Sequence, residues 1–264
     1  MYFRILIIII TFLYHSSTFS KTSENQNFNH RYLSKYFSAL VSHENGDNEL
    51  AINYFNSTKS ILRDYPVYFD KYVNSLVIEN KVKEAINQIK FFNSKNKVNN
   101  FQANLLLTID ALKNHKFSKV NDHLLDMEKV LIPSTYEQIV FKVLKSYNQL
   151  FLNKKIHKIN NYGKLSEILL AFQYCYLDDE KANNYFVDLL NFERGDYSRY
   201  LFFYLSNLIS KKEYDTAKLI SIKIEPITST LLILQSKDWV EKNNFDNFSK
   251  IFSIKSENDI LAEI

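Results

Sequence analysis

The residues best suited to chemistry in this chain are one cysteine, six histidines and one acidic triplet. A catalytic Cys175 would need a histidine and electropositive surroundings to form a thiolate. It lies instead in the apolar run Ile168-Leu169-Leu170-Ala171-Phe172-Gln173-Tyr174-Cys175, where a thiol is buried and inert. As the single cysteine it cannot close an intramolecular disulfide. The histidines are His15, His30, His43, His115, His123 and His157. No two stand at the spacing that turns two imidazoles toward one zinc ion on a helix face, so they read as surface or turn residues. Asp178-Asp179-Glu180 could hold a cation or supply an acid–base pair. The same acids fall where a helix leading to Ala182 begins, and carboxylates there cap free N–H groups and complement the helix dipole. Gly46, Gly163 and Gly195 are too dispersed for a phosphate-cradling loop or a Gly-x-Ser-x-Gly elbow. No catalytic residue, metal site or cofactor is expected.

The elements behind these residues are helical. Of 264 residues, 46% are hydrophobic and 15% aromatic, ample for a core, so general disorder is excluded. Only 3 Gly and 3 Pro occur, whereas a β-sandwich or barrel spends both on its many turns. The composition points to an all-α chain. The net charge of +4 comes from 33 basic and 29 acidic residues interspersed along the sequence. A nucleic-acid binder concentrates its basic residues on one face, and no such face is legible, so no nucleic-acid partner is expected.

The helices recur with a period. Pro66, Pro133 and Pro226, with Gly46, Gly163 and Gly195, all fall between amphipathic stretches. Pro costs about 3 kcal/mol and Gly about 1 kcal/mol inside a helix, so these residues mark joints. A small or apolar residue opens the second helix of each pair at Ala51, Ala85 and Val120, spaced by 34 and 35 residues; Ala182 and Ala217 repeat the 35, and Phe248 follows after 31. A helix–turn–helix period near 34 residues is that of tetratricopeptide repeats.

Residues 32–262 resemble tetratricopeptide repeats, in particular those of exported alphaproteobacterial proteins. The resemblance rests on the small position together with an aromatic three residues before it (Phe117, Tyr214, Phe245) and an apolar residue four after it (Phe55, Ile89, Leu124, Phe186, Phe252). Turn positions that hold Gly in the family hold Asn80, His115, Lys212 and Asn243 here. The stretch between Pro133 and Gly163 departs most. Ser134 and Glu137 form a capping box for a good first helix, but the second helix, around Lys155 to Ile159, is short and basic. The resemblance implies a right-handed α-solenoid of about six to seven repeats over residues 32–264, in which first helices line a concave groove. Counting from the small positions, the implied groove residues are Tyr36, Leu40, Asp70, Asn74, Tyr174, Arg199, Phe202 and Lys237. The implied function is non-catalytic: a scaffold or adaptor that grips a protein segment in the groove. Alternatives are the helical part of an envelope enzyme, such as a murein hydrolase, and a structural spacer.

The two ends add expectations of their own. Arg4, the apolar run Ile5 to Tyr14 and the small polar segment Ser16 to Ser20 read as a signal peptide over residues 1–20, cut before Lys21. The run is half of what a membrane-spanning helix needs, so the mature chain has no integral span. A polar tail over residues 21–31 follows. Export would place the protein in the periplasm or at the outer-membrane periphery of a Gram-negative bacterium. At the other end, Ser256 and Asp259 have N-cap spacing ahead of Ile260, Leu261 and Ile264. A helix this short after an apolar last pair reads as the end of an incomplete array, or as a face that docks on a partner or a second copy; the alternative is that residues 256–264 fold back as a small cap.

Overall fold

The structure, a computed structural model, describes residues 30–59, 62, 68–96, 99–132, 136–159, 162–191, 199–223 and 231–263. Those residues form fourteen α-helices and no strand, so the chain is all-α with repeated helical packing. It divides into two compact units, one ending at Tyr65 and the other beginning at Pro66. The proposed signal segment, Pro66, Pro133, Ser134, Gly195 and Pro226 lie outside the described residues.

The first unit holds α1 (His30–Glu44) and α2 (Asn48–Ser57). Helix α1 begins at His30, inside the stretch 21–31 expected to be a polar tail; His-Arg-Tyr-Leu contains no breaker and simply continues the helix. The turn is made by Gly46 at φ +80. Its N–H donates to the His43 carbonyl at 3.0 Å and the Asp47 N–H to the Ser42 carbonyl at 2.9 Å, the paired bonds of a Schellman C-cap. Asp47 then caps α2 by accepting from the Leu50 N–H at 3.2 Å. Tyr36 and Ala39 on one helix and Ala51, Ile52 and Phe55 on the other are buried.

The second unit runs through α3 (Phe69–Ile78), α4 (Val82–Asn96), α5 (Phe101–Lys113), α6 (Phe117–Glu128), α7 (Tyr136–Asn153), α8 (Lys164–Tyr176), α9 (Lys181–Leu190), α10 (Arg199–Ser210), α11 (Tyr214–Ser221), α12 (Leu231–Glu241), α13 (Asp246–Ile251) and α14 (Glu257–Glu263). Helices of a pair pack on each other, and the first helices of adjacent pairs also meet, α3 with α5 and α10 with α12. The joints repeat the chemistry of Gly46. Asn80, His115, Asp178, Lys212 and Asn243 all have positive φ, between 53 and 63, and each closes its helix with the same two backbone bonds. The turn positions read from the sequence are therefore left-handed caps filled by residues other than glycine. Asp178 is one of them, so the acidic triplet divides: Asp178 ends α8, and Asp179 accepts from the Lys181 N–H at 2.9 Å as α9 begins.

The small positions Ala51, Ala85, Val120, Ala182 and Ala217 are all fully buried, and four residues beyond the first four of them Phe55, Ile89, Leu124 and Phe186 are buried too. The pair after Pro133 is the exception. No helix forms over 154–159: α7 ends at Asn153, Lys154 after it is left-handed at φ +52, and residues 155–159 take no regular secondary structure. Lys154, Lys155, His157 and Lys158 leave too little apolar surface for a second amphipathic helix.

The last described residues pack back onto the second unit. Ser256 caps α14 by accepting from the Asp259 N–H at 3.2 Å, while Asp259 itself accepts from the Ser253 N–H at 2.9 Å. The helix folds back, and Phe248, Phe252, Ile254 and Ile260 join the core that begins at Phe101. Phe172 stands at its centre, ringed by Phe203 at 5.1 Å, Tyr200 at 6.1 Å and Phe252 at 6.3 Å. No helix among the described residues is long and apolar enough to cross a membrane.

Candidate functional site

The second unit contains an apolar cavity of about 740 Å³, within the range of ligand pockets. Its walls come from first helices. Helix α5 contributes Leu105 and Ile109, α7 contributes Val140 and Leu144, and α8 contributes Ile168 and Phe172. The helical period explains this placement: residues four apart stack on one face. Lys113 stands at one end of α5, and α14 borders the cavity with Asn258, Leu261 and Ala262.

Beside the cavity, four side chains converge from four places in the sequence. The Glu257 carboxylate accepts from the Tyr176 hydroxyl at 2.5 Å and from Lys154 Nζ at 3.3 Å, and it meets His115 Nδ1 at 2.7 Å. Lys154 also donates to the Tyr176 hydroxyl and lies over its ring. Only 17% of the Glu257 side chain is exposed. Burial alone would raise the carboxyl, but the hydrogen bonds from Tyr176, His115 and Lys154, with the Lys154 charge, outweigh it and hold the group below its ordinary value. Burial pulls the Lys154 ammonium down, while Tyr176 and Glu257 more than restore it, so it stays protonated to higher pH than usual. The cluster is an anchor for α14. A neighbouring pair reinforces it: Lys255 reaches Asp178 at 3.2 Å.

The eight residues counted from the resemblance do not line this cavity. Tyr36 and Leu40 lie on α1, the first buried and the second half-buried. Asp70 and Asn74 lie on α3. Asn74 is exposed, but Asp70 accepts from Asn100, the residue that caps α5, and burial raises its carboxyl. Tyr174 is buried and stacked on Tyr185 at 5.3 Å, and Phe202 is buried and stacked on Phe248 at 5.7 Å; both are core, not free surface. Arg199 opens α10, and Lys237 sits half-buried on α12. The count itself is informative. Tyr36 and Leu40 stand ten and six residues before the left-handed Gly46. The same offsets from His115 give Leu105 and Ile109, and from Asp178 give Ile168 and Phe172, four residues of the cavity wall.

One further feature escaped the sequence reading. The Glu257 cluster draws two members from left-handed turns, His115 and Lys154, so the turn register was its only signal. Cys175 is fully buried, and burial pushes its thiol up, away from the reactive thiolate. Comparison with protein-family models, with characterised proteins and with solved structures returned no match.

Proposed function

We propose that this chain is a tetratricopeptide-like solenoid whose second unit binds a protein segment on the face made by its first helices, and that it serves as a non-catalytic scaffold or adaptor of the bacterial envelope. The observation that carries the reading is the aliphatic cavity walled by α5, α7 and α8. An amphipathic helix laid in an apolar groove is a recurrent mode of protein recognition. The left-handed caps at 34- and 35-residue spacing (Gly46, Asn80, His115) support the repeat class. Export rests on Arg4, the apolar run after it and Ser20.

Affinity capture from envelope extract tests the binding role. The full chain retains a specific protein, and Ile109→Asp, which places a charge on an exposed part of the wall, loses it. Equal capture by both proteins overturns the assignment of the face. Sedimentation with peptidoglycan in place of protein capture would favour the murein-hydrolase reading. N-terminal sequencing of the exported form should begin at Lys21.

A further inference from the structure

The cavity already has a helix at its edge, and that helix shows what the wall can hold. Helix α14 presents one side to protein: Glu257 is seated on His115, Lys154 and Tyr176, and Ile260, three residues on, is fully buried. Its other side, Asn258, Leu261 and Ala262, borders the cavity. Interiors normally pack without large voids. Here two of the three side chains offered to the space are short or polar, and the space stays open. A seven-residue helix is also too short to persist unaided, so α14 exists by virtue of its docking.

The wall selects among occupants. Leu105, Ile109, Val140, Leu144 and Ile168 offer no hydrogen bonds. An extended peptide laid against them would leave its N–H and C=O groups unpaired. A helix satisfies its backbone internally and asks only for apolar contact along one face.

We infer that the wall of α5, α7 and α8 is a receptor for an amphipathic partner helix, that α14 is its built-in, displaceable occupant, and that the preferred partner keeps the Glu-x-x-Ile-Leu order of residues 257–261 while carrying large aliphatic side chains where α14 has Asn258 and Ala262. The inference rests on the protein-binding reading and names the chemistry of the partner for that same face. The cis helix lowers the apparent affinity of any competitor by the fraction of time it is docked.

The test uses a fluorescein-labelled synthetic peptide of residues 255–264 carrying Asn258→Leu and Ala262→Leu, titrated into full-length proteins by fluorescence anisotropy. The parent protein binds it. Glu257→Gln, which weakens the anchor of the cis helix, binds about tenfold more tightly. The full chain carrying Asn258→Leu and Ala262→Leu, whose own helix now fills the space, binds about tenfold more weakly. Ile109→Asp, at a position already 47% exposed and so tolerant of the change, loses binding while keeping its circular dichroism and melting temperature. Equal affinity across the four proteins, or no binding to Glu257→Gln, overturns the inference. So does saturation by hexadecanoate without any effect of the peptide, which would make the cavity a lipid site. If the peptide fails but envelope capture still depends on Ile109, the scaffold reading stands and this one falls; peptide binding without such capture gives the converse.

Discussion

Gln173 grips the backbone of His157 with both ends of its amide. Its Nε2 donates to the His157 carbonyl at 3.2 Å, and its Oε1 accepts from the His157 N–H at 2.9 Å. The Ser146 hydroxyl donates to the same carbonyl at 2.8 Å and accepts from Gln173 Nε2 at 2.8 Å. Gln173 and Ser146 are fully buried. They supply the backbone partners of His157 where no second helix forms. Gln173→Leu keeps the volume but strands a backbone donor, and each orphaned buried group costs about 1–3 kcal/mol. A loss of about 2–4 kcal/mol in urea unfolding is expected, with Ser146→Ala losing about 1 kcal/mol. Parental stability in Gln173→Leu would show that water replaces the amide.

Left-handed turns give the next expectation. A side chain with a Cβ pays about 1–2 kcal/mol in that conformation, and Asn tolerates it better than Lys. Lys212→Gly should therefore stabilise by about 1 kcal/mol, and Asn80→Gly by less. His115→Gly relieves the same strain but removes a partner of Glu257, so its gain should be smaller than that of Lys212→Gly. Thermal melts of the three variants order them directly.

The small positions bear on the repeat register in both units. Ala51, Ala85 and Ala217 are fully buried, so Leu at each should overpack its pair by about 1–3 kcal/mol. Three variants that melt like the parent would break the register.

The anchor of α14 should depend on pH. Glu257 titrates below its ordinary value of 4.5 in the folded protein. A lowered carboxyl stabilises the folded state above the unfolded value and loses that contribution as pH falls through the folded one. The stability difference between the parent and Glu257→Gln should therefore be constant above about pH 5 and shrink below 4.5. Hydrogen exchange of the α14 amides should report the same window. A difference that persists unchanged at pH 3 would remove the ionised carboxylate from the account.

Much of the fold was legible because it rests on local rules. The small positions, the turn residues and the N-cap at Ser256 all depend on neighbours within a few residues. What could not be read depended on distance. Glu257 and His115 are 142 residues apart, and no local pattern announces their meeting. The missing second helix after α7 was signalled by its basic residues, but its replacement by the Gln173 amide was not. The cavity wall was not legible: no residue of α5 or α7 was among those counted from the resemblance, and Tyr174 and Phe202 were drawn into the core because aromatic rings pack before they line a surface.

Arrays in which each repeat touches only its neighbours can melt piecemeal, one end fraying while the other persists. The fold-back of α14 changes that statistical picture. By fastening residue 257 to the turn residues His115 and Lys154 and to Tyr176 at the end of α8, it couples helices far apart in the sequence. The stretch between them behaves less as a line of separable blocks and more as a closed loop, whose parts must open together. Sharp, single-step unfolding of the second unit, and a broader transition once Glu257 is replaced, is the thermodynamic signature of that closure.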